Sequence, residues 1–164
     1  MKCSRVARFN AVVGNPPAES LEDVLKQIEN QCTFLLEEVL ETKEAAKRGD
    51  WTECCDGVGD VKYVAAYLQT LLESVGVKFN KAYQKICDNN DQKFSSSKEL
   101  VLQWQAEKAT SHPELETYIA EAEYDGETYY TLRRKDNGKV VKHNGFEAVD
   151  LKKYIPNKLL NKEE

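Results

Sequence analysis

S-L-E-D-V-L-K-Q-I-E-N-Q-C-T-F-L-L-E-E-V-L-E-T-K-E-A-A-K-R-G-D-W-T-E-C-C-D-G-V-G-D-V-K-Y-V, residues 20–64, is the stretch that decides the fold. Leu21, Val24, Ile28, Cys32, Leu35 and Val39 recur at helical spacing. Ser20 stands at the start with Asp23 three residues on, close to a capping box, and Pro16-Pro17 keeps the helix from beginning earlier. Gly49 fits the position just past the helix end. Asp50 fits the cap of a second helix, with Glu53 as its reciprocal partner. Val64, Leu68, Leu71 and Val75 carry that second helix on as an apolar stripe. So tight a connection predicts two antiparallel neighbours.

Carboxylates run into both patterns. Asp56 and Asp60 extend the Val64–Val75 stripe backwards in steps of four, which predicts that they face the core. An unpaired buried carboxylate costs several kcal/mol or takes up a proton, so two on one stripe call for a cation. On the first helix Glu38 and Glu41 are three apart and Glu37 and Glu41 four apart, so they share a face. Counted from the Gly49/Asp50 junction, Glu41 and Val58 are level, which sets Glu41 beside the middle of the Asp56–Asp60 pair. Glu37 and Glu38 lie about one turn further out. Four or five carboxylates would then share one volume, which suits a hard divalent metal such as Mg²⁺. Against this, an isolated E-E-x-x-E is ordinarily a solvated face. Glu37 is the acid that the core stripe explains least, and Glu53 suits a helix start as well as a ligand.

E-E-x-x-E on one helix followed by D-G-x-x-D-x-x-Y-V on the next resembles the MazG-like all-α nucleoside triphosphate pyrophosphohydrolases, in particular the phage-type members. That group also holds dUTP/dCTP pyrophosphatases and phosphoribosyl-ATP pyrophosphohydrolase. The resemblance runs from Arg5 to Phe94. Gly57 occupies the place where many relatives carry the Glu of E-x-x-D, so either Asp56 takes that role or Glu53-x-x-Asp56 is the local equivalent. The opening R-F-N-A-V-V-G-N-P-P resembles the family lead-in that approaches the base. It makes Asn10 and Phe9 candidates, with Phe9 better explained as core. C-D-N-N-D-Q-K-F resembles the segment that reaches the substrate phosphates, which maps to Asn90 and Lys93.

Composition bounds the rest. At 164 residues and 41% hydrophobic content the chain can bury one ordinary core. A net charge of −5 disfavours nucleic-acid binding through an overall basic surface. No apolar run approaches a membrane span, and Met1-Lys2-Cys3 does not open a signal peptide. Cys3, Cys32, Cys54, Cys55 and Cys87 lack paired spacing and read as reduced thiols, so a cytoplasmic location is expected, in a bacterium or a phage-infected host. With His112 and His143 in no motif, a histidine-rich zinc site is not expected.

After Gly76 a third helix is expected over Phe79–Cys87, and one of Ser95–Ser97 caps a short helix through Val101, Leu102 and Trp104. T-Y-I-A-E-A-E-Y, Asp125-Gly126 and E-T-Y-Y-T-L-R-R read as a hairpin. Asp136-Asn137-Gly138 then turns into K-V-V-K-H, for a three-stranded meander. Gly138–Lys142 and Asp150-Leu151 resemble the C-terminal extension of phage-type relatives, and Gly145 and Pro156 mark an irregular tail. Arg133, Arg134, Lys135, Lys139 and Lys142, beside Tyr129 and Tyr130, read better as a solvated hairpin flank than as a phosphate or nucleic-acid contact.

The expected fold is therefore mainly α: an antiparallel helical bundle of the MazG-like kind over residues 1–94, with a short helix and a small C-terminal β-meander over 95–164. The resemblance implies Mg²⁺-dependent hydrolysis of (d)NTP to (d)NMP and pyrophosphate, in nucleotide-pool control, with Mn²⁺ as a substitute. Glu38, Glu41, Asp56 and Asp60 are the expected ligands, with Glu53 in reserve, and Glu37 or Glu38 the expected base. Asn10, Asn90 and Lys93 are the expected substrate contacts. The long first helix has too many apolar positions for its neighbours, so a homodimer or homotetramer is expected, with no membrane and no nucleic-acid partner. Two rival readings are a catalytically silent nucleotide sensor and phosphoribosyl-ATP pyrophosphohydrolase.

Overall fold

A computed structural model describes residues 4–160; Cys3 and the opening Met1-Lys2 lie outside the described residues. The protein is mainly helical with one small three-stranded antiparallel sheet. The chain forms two compact units, one of residues 4–79 with 154–160 and one of Asn80–Lys153.

The first unit is built on a helical hairpin, α2 (Leu21–Arg48) and α3 (Trp51–Ser74), preceded by α1 (Ser4–Val12). The local signals act as their chemistry dictates. Asp23 N–H donates to Ser20 Oγ at 3.1 Å, and the Ser20 hydroxyl donates to the Asp23 carboxylate at 2.7 Å. Gly49 ends α2 at φ 71°, a left-handed conformation open to glycine at little cost. Asp50 Oδ1 accepts the N–H groups of Thr52 and Glu53, both at 3.1 Å. Asp50's own N–H goes back to Ala45 O at 3.1 Å, so the Glu53 side chain has no capping N–H to receive, and it is exposed.

Val24 on α2, Tyr67 and Leu71 on α3 and Val6 on α1 form the core, flanked by Ala18, Ile28, Ala66 and Val75. That core sits at the end of the hairpin away from its turn. Nearer the turn the helices are held by a close approach. A Cβ added at Gly57 would lie 3.2 Å from Thr42 Cβ and 3.3 Å from Thr42 Cα. Thr42 opposite Gly57 is also the register that counting from the junction predicts. Residues 154–160, including a short helix over Asn157–Leu160, return to the far end of α3. There Lys78 N–H donates to Tyr154 O at 2.9 Å.

Two expectations fail here. The half-buried and buried line of α3 runs Cys54, Gly57, Val61, Val64, Leu68, Leu71, Val75, alternating steps of three and four, while Asp56 and Asp60 are exposed. Each step of four overshoots a full turn by about 40°, so two steps from Val64 carry Asp56 about 80° off the core line. Phe9, expected in the core, is also exposed, and its ring meets Tyr63 edge-on at 6.0 Å.

The second unit holds α4 (Phe79–Asp91, longer than expected), β1 (Phe94–Ser95), α5 (Lys98–Ser111), β2 (Thr117–Tyr124) and β3 (Glu127–Arg134). Ser97 caps α5, its Oγ accepting Leu100 N–H at 3.2 Å. The Asp125-Gly126 turn has both residues at positive φ, 52° and 78°, as a two-residue hairpin requires. Val101 and Trp104 of α5 pack on Leu132 and on Val141, which follows the strands. The sheet is not the expected meander. Its order is β1-β3-β2, with the third strand contributed from before α5. The K-V-V-K-H segment makes a single bridge, Arg133 to Val140. β1 pairs with Thr131 and Tyr130 on the same edge of β3, so little of that edge is left for a longer strand.

Candidate metal centre on the helical hairpin

The half-buried line of α2 runs Ile28, Leu35, Glu38 and Thr42 between buried Val24, Gln31 and Ala45, so Glu38 belongs to the face turned toward α3. Glu37 and Glu41 flank it and are exposed. With Thr42 opposite Gly57, Glu38 lies level with Val61 and Glu41 with Val58, which brings both close to Asp60 and Asp56 along the hairpin. Electrostatics agrees. The Glu38 carboxyl is held above its ordinary range, first by partial desolvation, then by the negative charges of Asp60, Glu41, Glu37 and Asp56. Glu38 therefore feels four other acids spread over two helices.

Glu53, Asp56 and Asp60 share one side of α3. With Trp51, Thr52, Cys55 and Gly59 they line an open groove of 790 Å³. All the donors are carboxylate oxygens, the chemistry of a hard divalent cation rather than of zinc or copper. The acids are nonetheless coupled through space and not drawn together as ligands. Among the described residues no three His, Cys, Asp or Glu side chains are gathered closely enough to hold a metal ion.

The expected substrate contacts are placed less simply. Asn10 is buried, donating from Nδ2 to Val6 O at 3.0 Å and accepting at Oδ1 from Asn15 Nδ2 at 3.2 Å. It thereby braces the loop that joins α1 to α2. Asn90 and Lys93 meet in the second unit, where the lysine ammonium donates to Asn90 Oδ1 and also lies 5.7 Å from the centre of the Phe146 ring.

The basic flank of the hairpin is occupied internally. Arg134 forms a two-point pair with Asp136 at 2.7 and 3.1 Å. Lys135 reaches Glu116 at 3.3 Å, and Arg133 donates to Thr131 Oγ1 and Gly138 O. Cys32, Cys54, Cys55 and Cys87 are free thiols, and no described helix is long and apolar enough to cross a membrane.

Sequence reasoning missed a chain of carboxamides at the other end of α2. Gln27 Nε2 donates to Asn15 Oδ1 at 3.1 Å and to Pro16 O at 2.8 Å, and Gln27 Oε1 accepts Ala18 N–H at 2.9 Å. The Tyr67 hydroxyl donates to Asn15 O. Gln27, Asn30 and Gln31 on a helix carry no pattern that separates them from solvated surface, and only the fold sets them beside Asn15. The chain matches no family model, no curated protein and no solved structure.

Proposed function

We propose that this protein is a divalent-metal-dependent nucleoside triphosphate pyrophosphohydrolase with a MazG-like helical catalytic unit. The observation that carries the reading is the alignment of Glu38 and Glu41 with Asp60 and Asp56 across the α2–α3 hairpin. It leaves like charges uncompensated on one face, at a cost to the fold. Glu41, Asp56 and Asp60, with Glu38 beside them, are the residues to hold the ion. Mg²⁺, or Mn²⁺ in its place, supplies positive charge for the triphosphate oxygens. The raised Glu38 carboxyl suits it to accept a proton from the attacking water, with Glu37 one residue away as the alternative base. Water adds, the anhydride between the α- and β-phosphates breaks, and monophosphate and pyrophosphate leave.

The working unit in this reading is a homodimer or a pair of dimers. Phe34, Leu36, Val39, Leu40 and Val58 are exposed on the hairpin, and Trp51 is 85% exposed. So much apolar surface around a catalytic face suits a second copy packed helix to helix. A single monomeric mass by light scattering, in a sample that turns over at full rate, refutes that pairing. For the activity itself the decisive experiment measures pyrophosphate release from each common NTP and dNTP, with Mg²⁺, with Mn²⁺ and with chelator. Metal-dependent release from at least one of them is expected. No release from any would end the reading.

A further inference from the structure

Gln31 is a buried polar side chain with no partner. It stands on the line of α2 that faces inward and is only 8% exposed, yet it makes no side-chain hydrogen bond among the described residues. Asn10, the comparably buried amide of the same unit, is fully engaged by Val6 and Asn15. No described buried side-chain N or O atom is both sealed from solvent and unpaired, so the Gln31 amide keeps contact with solvent. It does so at a cleft of 410 Å³ that it lines with Asn15, Gln27, Asn30, Thr33 and Phe34. An occupant of the cleft would take the place of that solvent and hydrogen-bond the Gln31 amide directly.

We propose that this cleft is a nucleobase site in which the Gln31 carboxamide reads the edge of the base and Phe34 supports its face. The lining has no charged side chain, so it suits a neutral group rather than a phosphate. A carboxamide offers one acceptor and a donor side by side, the complement of the adjacent donor and acceptor on a nucleobase edge. Phe34, three residues on and 51% exposed, presents an aromatic ring at the same cleft, and ring-on-base stacking contributes about 1–3 kcal/mol. Asn15 and Gln27 are locked by the Asn10–Asn15–Gln27–Ala18 hydrogen-bond chain, which leaves Gln31 and the exposed Asn30 as the amides free to change partner, with Gln31 the buried one of the two. The position also fits the acids. Gln31 and Glu38 are seven residues apart on one helix face, about 10 Å along the axis, comparable to the length of a nucleoside. The assignment rests on the pyrophosphohydrolase reading for its orientation, with the base at Gln31 and the phosphates toward Glu38.

Two measurements test it on the full chain. In the first, adenosine, guanosine, cytidine and thymidine are titrated while the side-chain amide resonances are followed by ¹⁵N NMR. The Gln31 pair is assigned in the wild-type chain by triple-resonance connection to its own backbone amide. At least one nucleoside is expected to move that pair, and inorganic triphosphate is not. In the second, Gln31→Leu and Gln31→Glu are assayed for turnover. KM for the preferred nucleotide is expected to rise tenfold or more with kcat within about threefold, while inhibition by inorganic triphosphate stays unchanged. A Gln31 amide pair that no nucleoside moves, or a KM within twofold of wild type in both variants, overturns the proposal even if hydrolysis is robust. If Gln31→Leu instead changes the association state with no nucleoside response, the cleft is a contact between copies and the proposal also falls. Nucleosides that move the amide in a protein hydrolysing no nucleotide would leave the base site standing and remove the enzyme reading. The NMR titration uses the wild-type fold, so it decides the matter even if a variant misfolds.

Discussion

On the sheet of the second unit Arg134 meets Asp136, Lys135 meets Glu116 and Lys98 meets Glu121, each charge beside its opposite. On the α2–α3 hairpin Glu38 stands among Asp60, Glu41, Glu37 and Asp56, each charge beside its like. Both regions are rich in ionisable groups, so composition does not separate them. What separates them is whether the fold alone satisfies those groups. Exposed pairs like those on the sheet contribute about 0–1 kcal/mol each and are ordinary surface. Like charges held level across two helices work against folding unless something outside the chain relieves them. The cores differ in the same sense. Val101, Trp104, Leu132 and Val141 close the second unit around one helix and the sheet. The hairpin's core is confined to one end, and its apolar surface elsewhere is left open.

If the hairpin is the working region, its acids should control turnover far more than stability. Asp60→Ala is expected to lower kcat/KM about a thousandfold, or ~4 kcal/mol of barrier, while circular dichroism shows an unchanged fold. Without metal the variant should melt no lower than wild type, because one repelling charge is gone. Activity above about a tenth of wild type would take Asp60 out of the ion's coordination. The mirror experiment belongs to the second unit. Leu132 is fully buried beneath α5, and Leu132→Ala is expected to cost about 2–4 kcal/mol through the cavity it leaves. Pyrophosphate release per folded molecule should stay the same. Denaturant titration and assay of one sample read both quantities, and a loss of activity beyond the unfolded fraction would contradict the division of roles.

A smaller effect is expected where the two helices of the hairpin touch. Gly57→Ala places a methyl group 3.2 Å from Thr42 Cβ and against its hydroxyl, which already donates to Glu38 O at 2.7 Å. Overpacking of this kind costs about 1–3 kcal/mol, and the better helix propensity of Ala returns about 1, so a net loss of about 0–2 kcal/mol is expected. Thr42→Ala in the same chain should recover part of it. Gly59, two residues further along α3, has open space, and Gly59→Ala should stabilise. Equal effects at 57 and 59 would mean that the helices do not meet at Thr42.

These two glycines show how far the sequence carries. Ser20, Gly49, Asp50, Ser97 and Asp125-Gly126 act within three or four residues of themselves, so their caps and turns are legible before any tertiary contact is known. The hairpin register is legible for the same reason, since one tight turn fixes the level of everything along both helices. Exposure of Asp56 and Asp60 is not, because steps of four look like a core row until the drift about the axis is accumulated. The third strand is hidden because β1 is two residues long and pairs across α5. The buried amide of Gln31 is hidden because glutamine gives no periodic signal, and only packing makes its missing partner visible.

The smallest effect is a pH dependence that belongs to the hairpin alone. Glu38 holds its proton more tightly in the folded chain than an ordinary glutamate, through desolvation and its four acidic neighbours. A raised carboxyl means the folded state binds more protons than the unfolded state over the window just above the usual Glu range, so stability falls as pH rises through it. Well below pH 4 both states are protonated and the charge penalty is absent. Near pH 7 without divalent cation it is fully present. Glu38→Gln removes the charge and keeps the shape. Its melting temperature is therefore expected to exceed wild type's at pH 7 in chelator, with the gap closing as pH falls toward 4. Saturating Mg²⁺ should narrow the gap as well, since an ion that binds the folded state stabilises wild type by linkage, and the variant lacks one carboxylate for it. Melting scans over pH, with and without Mg²⁺, read all of this from two proteins. A gap that persists unchanged at pH 4 would assign the gain to packing around residue 38 and not to its charge.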